Sequence, residues 1–295
     1  MLIVVSISVY REKPMKKEDY LLIATDLEAQ IAIRFLSLQK GIKESFSLHH
    51  PHKDVSDEFS KFLMASILLG SLYKNQEASL MKLRYAHRGY GYNCEVSPRG
   101  LYRVAVVGDY KKEFKLEGGS LDVVRIEKEQ QPYHSVTPAS SSDVDTIFKA
   151  YLSASEQTPS HLFLHADTAL FKKNFGLWIQ KLPHTDDETW SKISKRFQER
   201  VCFESSFKKT SDPDKIIQNL FPDKIRILSV TKPNPFCSCS KERIIEALKL
   251  LPEADLAEIF LEGKGVKTRC DYCCTTWEVL DEEIKTMMKS SDTLH

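Results

Sequence analysis

Apolar residues recur along the chain in short runs between turn-forming residues, and the spacing within each run predicts an element. From Thr25 to Leu38 the apolar positions Ile31, Ile33, Phe35 and Leu36, with Asp26 as a cap candidate, read as an amphipathic helix. Asp57 to Tyr73 reads as a second helix. Its stretch from Phe59 onward is interrupted by Lys61, Ser66 and Ser71, so it suits a buried core helix and falls short of a membrane span. Ser79 to Arg84, Tyr92 to Val96 and Leu101 to Val107 carry β-branched or aromatic residues between turns containing glycine and proline, the pattern of a strand meander. Leu121 to Ile126, after Gly118-Gly119, and His161 to His165 add strands, with Asp143 to Ser153 helical between them.

Beyond Pro183 the pattern turns charged and helical. Trp190, Ile193, Phe197 and Val201 fall at steps of three and four residues along one face, and that face needs a cover. Asp212 as cap and Pro213 in the first turn announce another helix, carrying Ile216, Ile217, Leu220 and Phe221. Two small helices without a sheet form a weak unit, so a helical appendage packed on the preceding domain is expected over a mobile linker. After Lys232-Pro233-Asn234-Pro235, Ser240 caps a helix through Ile244, Ile245 and Leu248, and Pro252 opens one carrying Leu256, Ile259 and Phe260. Gly263-Lys264-Gly265 turns the chain into Val266 to Arg269, and Thr275 to Leu280 return as a strand. The expected fold class is therefore α+β: a mixed α/β core domain over 15–185, a helical linker over 186–232 and a small C-terminal domain over 233–295. Residues 1–14 stand apart as an N-terminal extension, disordered or upstream of a true start at Met15.

Charge and cysteine usage narrow the picture. With 42 Lys and Arg against 41 Asp and Glu, no bulk field draws the chain to nucleic acid or an anionic membrane. The apolar start lacks a basic flank and a small-residue cleavage pattern, so a cytoplasmic protein is expected. Five of the seven cysteines follow residue 236, while Cys94 and Cys202 stand alone and read as small buried hydrophobes. A unit of about sixty residues builds little core, which makes a metal staple physically reasonable.

Cys237 and Cys239, with Cys270 and Cys273, can close a tetrahedron around zinc. No histidine lies between His184 and His295, so the site is all sulfur, and soft thiolates favour zinc or an iron–sulfur cluster over magnesium or calcium. Such a site carries about two negative charges, and Lys241, Arg243, Lys267 and Arg269 are near in sequence to offset them. A purely architectural ribbon is the plain alternative, but ribbons use C-x-x-C on both sides. The C-x-C half is tighter, and its Cα atoms fall within disulfide range. Each half can oxidise locally, which in a cytosolic protein suits a redox sensor. Cys274, directly after Cys273, competes as the fourth ligand because a C-x-x-x-C spacing is also acceptable, but Cys273 is favoured and Cys274 reads as a spare thiol on the strand that follows.

The stretch Phe236-Cys-Ser-Cys-Ser-Lys-Glu-Arg-Ile-Ile-Glu-Ala-Leu resembles the start of the zinc domain of the redox-regulated holdase chaperones, the heat-shock protein 33 type, and Cys270-Asp-Tyr-Cys273 resembles its end. Tyr151-Leu-Ser-Ala-Ser-Glu-Gln-Thr-Pro-Ser160, Gly176-Leu-Trp-Ile-Gln-Lys-Leu-Pro183 and Leu220-Phe-Pro-Asp-Lys resemble the same family, which covers residue 17 to the end. The resemblance implies a non-enzymatic, ATP-independent stress chaperone with zinc on Cys237, Cys239, Cys270 and Cys273, inactive while reduced. Oxidation would form Cys237–Cys239 and Cys270–Cys273 disulfides, release zinc, unfold the zinc domain and linker, and expose surface for unfolded or oxidatively damaged client proteins. It allows a homodimer once oxidised. The N-terminal extension and Cys274 depart from the family pattern, and Cys274 leaves the second disulfide open. No catalytic residue is assigned, and no P-loop glycine motif is present.

Two rivals fit less well. A nucleic-acid ribbon wants a basic stripe with aromatics, whereas this unit mixes Glu246, Glu253, Asp255, Glu258 and Glu262 with its lysines. A thiol oxidoreductase wants C-x-x-C opening a helix, and here a strand-like segment follows. His49-His50-Pro51-His52 reads as a solvated loop, and His161 and His165 as packing or surface residues without a third ligand.

Overall fold

In the computed structural model of the 295-residue chain, the described residues are 19–291 apart from 27–29, 73–75, 86–88, 110–118, 128, 199–202, 204, 207–209, 211 and 222–224. The expected extension 1–14, the Met15 start and Cys202 lie outside them. Two compact units result, one ending at Pro235 and one beginning at Phe236. Among the described residues no helix is long and apolar enough to cross a membrane.

The first unit is built on two sheets. One has five strands in the order β10-β1-β2-β9-β8, formed by β1 (Tyr20–Asp26), β2 (Ile31–Ser37), β8 (Ser160–His165), β9 (Phe175–Lys181) and β10 (Ile225–Thr231). The other has six in the order β11-β5-β4-β3-β6-β7. Its strands are β3 (Gln76–Arg84), β4 (Tyr90–Val96), β5 (Leu101–Gly108), β6 (Ser120–Glu127), β7 (Tyr133–Pro138) and the short β11 (Asn234–Pro235). The meander β3 to β5 follows the alternation in the sequence: Met81, Leu83, Tyr92, Cys94 and Val104 are buried on one face. Neighbouring strands pair antiparallel except β11, which runs parallel to β5 with Asn234 opposite Leu101. That pairing ties Asn234 and Pro235 to the larger unit.

The helix expected over Thr25 to Leu38 is instead the β1–β2 hairpin, in which Tyr20 faces Ser37 and Asp26 faces Ile31. Ile31, Ile33 and Phe35 repeat at every second residue and enter one core, while Leu36 enters another. A strand buried on both faces is nearly continuously apolar, which hides its period of two. Helix α1 (Lys40–His49) follows, its N-terminal N–H groups at Gln39, Lys40 and Gly41 donating to the buried Asp19 carboxylate. Helix α2 (Ser56–Gly70) is buried around most of its circumference between elements of both sheets, as its all-round apolar sequence requires. Phe59, Phe62, Leu63 and Leu68 sit in this core with Tyr92 and Trp178.

Helix α3 (Val144–Tyr151) begins at Asp143, whose side chain accepts from the Thr146 N–H at 3.1 Å, and ends in a π-helical turn over Leu152–Glu156. Helix α4 (Asp187–Gln198) and helix α5 (Pro213–Leu220) follow, and Asp212 caps α5 as its sequence announces, accepting from Asp214 N–H at 3.0 Å. The apolar face read from Trp190, Ile193 and Phe197 meets a cover: with Ile216 and Leu220 it packs against the Ile33, Phe35, Phe163 and Leu177 side of the five-stranded sheet. The segment expected as a helical linker is not helical throughout, because Ile225–Thr231 pairs with β1 as the edge strand β10. Its β-branched run gains backbone partners only from a strand distant in sequence.

The second unit contains helix α6 (Lys241–Leu248), helix α7 (Glu253–Glu262), the hairpin β12 (Val266–Arg269) and β13 (Thr276–Val279), and helix α8 (Asp281–Ser291). Leu248, Leu256, Val279 and Ile284 form its buried centre, with Ile244, Ile259 and Phe260 packed around them. Gly265 turns the chain into the hairpin at φ +64°, where a Cβ would lie 2.5 Å from the Val279 carbonyl oxygen.

Candidate metal centre

Two local structures bring the thiols together. Cys237 and Cys239 lie in the irregular stretch that Ser240 ends by capping α6, its hydroxyl accepting from the Arg243 N–H at 3.3 Å. Cys270 and Cys273 lie on the knuckle joining β12 to β13. There the Cys270 N–H donates to the Thr275 carbonyl and the Cys274 N–H to the Cys270 carbonyl, both at 2.9 Å. Closing this turn puts Cys274 at φ +58°, in the left-handed region.

The Sγ atoms of Cys237, Cys239, Cys270 and Cys273 all lie within 4.8 Å of one another, and this is the single such group of potential metal ligands found among the described residues. Cys237 to Cys270 is 3.7 Å and Cys239 to Cys273 is 3.2 Å. A tetrahedron of thiolates at the usual zinc–sulfur distance has edges of about 3.8 Å, so the four sulfurs fit a single ion with small adjustments. They are far from the bonded distance of a disulfide, about 2 Å. Of the two competing cysteines, Cys273 is in the cluster and Cys274 is not.

All four cysteines are half-buried. Burial, with the Cys273 side chain beside it, pushes Cys239 up to about 12. Burial also acts against Cys273, yet the Thr275 hydroxyl and N–H and the neighbouring thiols outweigh it and bring that thiol down to about 6. Burial raises Cys270. Without metal the cluster therefore carries a ready thiolate at Cys273, 3.3 Å from the Thr275 hydroxyl.

Three of the four basic residues expected to offset the thiolate charge have specific partners. Arg243 donates to the Ser238 hydroxyl between the first two cysteines at 2.7 Å, Lys241 pairs with Glu283 at 2.6 Å, and Arg269 donates to the Cys274 carbonyl at 3.3 Å. Thr275 and Ser238 escaped the sequence reading. Their only signal was a hydroxyl within two residues of a cluster cysteine. The solitary Cys94 is fully buried in the first core, where burial drives its thiol upward. The histidines at 49, 50 and 52 join no metal-ligand group among the described residues.

A family model described as Hsp33 protein matches residues 19–279. The 33 kDa chaperonin of Clostridioides difficile is 26% identical over 288 residues, covering 92% of this chain and 99% of that protein. That of Shouchella clausii is 25% identical over 300 residues, covering 93% and 99%. The crystal structure of the 33 kDa chaperonin from Thermotoga maritima shares the fold, with a TM-score of 0.80 at 18% identity over 94% of this chain and 99% of that one. The family match spans both sheets, the α4 and α5 segment and all four clustered cysteines, and the chain belongs to the Hsp33 family.

Proposed function

We propose that this protein is a redox-regulated, ATP-independent holdase chaperone of the cytoplasm, inactive when reduced and zinc-bound. The observation that carries the reading is the convergence of Cys237, Cys239, Cys270 and Cys273 within 4.8 Å, in a unit whose own core is small. Zinc, when bound there, holds four thiolates in place and supplies folding free energy that the apolar residues lack.

The chain's residues account for the response. Peroxide oxidises one thiolate to a sulfenic acid, and the neighbouring thiol displaces water from it, so each disulfide reduces one peroxide to two waters. We assign the pairs Cys237–Cys239 and Cys270–Cys273. In the assembled cluster the short contacts run across the halves, from Cys237 to Cys270 and from Cys239 to Cys273. Pairing within each half removes every sulfur link between the stretch before α6 and the knuckle, whereas cross-pairing would staple them. Local pairing thus unties the unit.

In this reading 15–185 is the core domain, 186–232 the linker and 233–295 the redox domain. Release of α4 and α5 would bare Trp190, Ile193, Phe197 and Ile216 together with the sheet face beneath them, a surface suited to unfolded clients. Treating the reduced protein with hydrogen peroxide at elevated temperature should release zinc and suppress aggregation of an unfolding client, followed with a chromophoric chelator and light scattering. The reading fails if the oxidised, zinc-free protein leaves aggregation unchanged.

A further inference from the structure

His161 lies on β8 directly beneath α4. Its ring stacks on the Trp190 indole with centroids 5.2 Å apart and planes at 23°, and its Nε2 lies 3.0 Å from the Ser194 hydroxyl. Trp190 and Ser194 are one helical turn apart, so a single imidazole holds two consecutive contacts of the helix. We propose that His161 is a proton-binding latch for α4: neutral, it holds the helix on the sheet, and protonated, it loosens it.

The surroundings set the sign. Lys149, from α3, places its ammonium 5.4 Å from the adjoining Phe163 ring and repels an imidazolium. The charged groups on the helix are turned to other partners or to solvent: Asp187 pairs with Lys181 of β9 at 2.5 Å, Lys192 pairs with Glu188 at 2.8 Å, Arg196 donates to the Leu220 carbonyl, and Lys195 is exposed. His165, four residues along β8, is the other titratable group on that strand. Among the described residues no carboxylate acts on the ring to favour its charge. Stacking on Trp190 favours the cation modestly, but burial first and Lys149 second hold His161 below the ordinary imidazole value.

A histidine whose value is lowered on docking stabilises the docked state above its undocked value of about 6.5. That contribution is lost as pH falls from there through the docked value. Acid should therefore ease α4 off the sheet even in the reduced protein. The inference rests on α4 being the segment released in the proposed function, and it gives that release a second input besides oxidation.

Amide hydrogen exchange on the reduced, zinc-loaded full chain tests it. Protection factors over 187–198 should fall about threefold or more between pH 7.5 and 5.5, while those of α2 hold. His161→Phe, which keeps a stacking ring, should abolish the fall, and His161→Gln provides an independent uncharged variant. A fall that persists in either folded variant, or equal α4 protection at both pH values in the parent, overturns the proposal. So does an NMR titration placing His161 at or above 6.5. No client or oxidant enters these measurements, so their failure is separate from failure of the chaperone reading.

Discussion

At Cys274 the knuckle demands a left-handed backbone, φ +58°, from a residue with a side chain. Such a conformation costs a non-glycine residue about 1 kcal/mol or somewhat more. Cys274→Gly should therefore stabilise the zinc-loaded second unit by roughly 1 kcal/mol, read as a higher urea midpoint for exchange of the amides at 266–279. Cys274→Ser should retain the metal, because the sulfur of Cys273 already completes the cluster. Spacing favours Cys273 but also admits Cys274. The turn separates them: the Cys274 N–H closes onto the Cys270 carbonyl, and its thiol is not one of the four that converge.

Among the elements, those with local punctuation were legible and those whose period is masked by burial were not. Asp212-Pro213 and Ser240 each mark a helix start, and both side chains accept the expected N–H. The β1–β2 hairpin defeated periodicity because Ile31, Ile33 and Phe35 enter one core while Leu36 enters the other. Strand β10 needed β1 to exist. Helix α5 depends on its cap as well as on burial of Ile216 and Leu220. Asp212→Ala should cost about 1 kcal/mol and raise exchange at 213–220 before it affects α2, observable by native-state hydrogen exchange. Equal protection in variant and parent would show that burial alone fixes the helix.

The whole molecule divides its stability unequally. The first unit surrounds α2 with two sheets and buries large aromatic side chains on both faces of one of them. Among its described residues the second has four buried apolar side chains and four clustered thiols. Removing zinc with a strong chelator under reducing conditions should therefore abolish protection in 236–291 while leaving 56–70 protected. Replacing Cys237 and Cys239 together by serine should reproduce that state without chelator. Persistent structure in the second unit under either treatment would mean that its core suffices without metal. Because zinc takes its cysteine ligands as thiolates, acid should weaken metal binding by protonating them, and Cys273, whose shift is downward, is the last to compete.

The sequence by itself determined the chemistry: which residue types bind metal, their C-x-C and C-x-x-C spacing, the caps that start α5 and α6, and the apolar faces that need covering. These are properties of neighbours along the chain, where spacing and residue type are enough. Only the tertiary structure decided that Cys273 joins the cluster, that Thr275 depresses it, that Ile225–Thr231 is a strand and that His161 sits beneath Trp190 and Ser194. The strand pairing and the histidine contacts join residues 29 or more positions apart, and the two adjacent cysteines are told apart only by where the folded knuckle places their thiols. Spacing in one dimension carries no record of either.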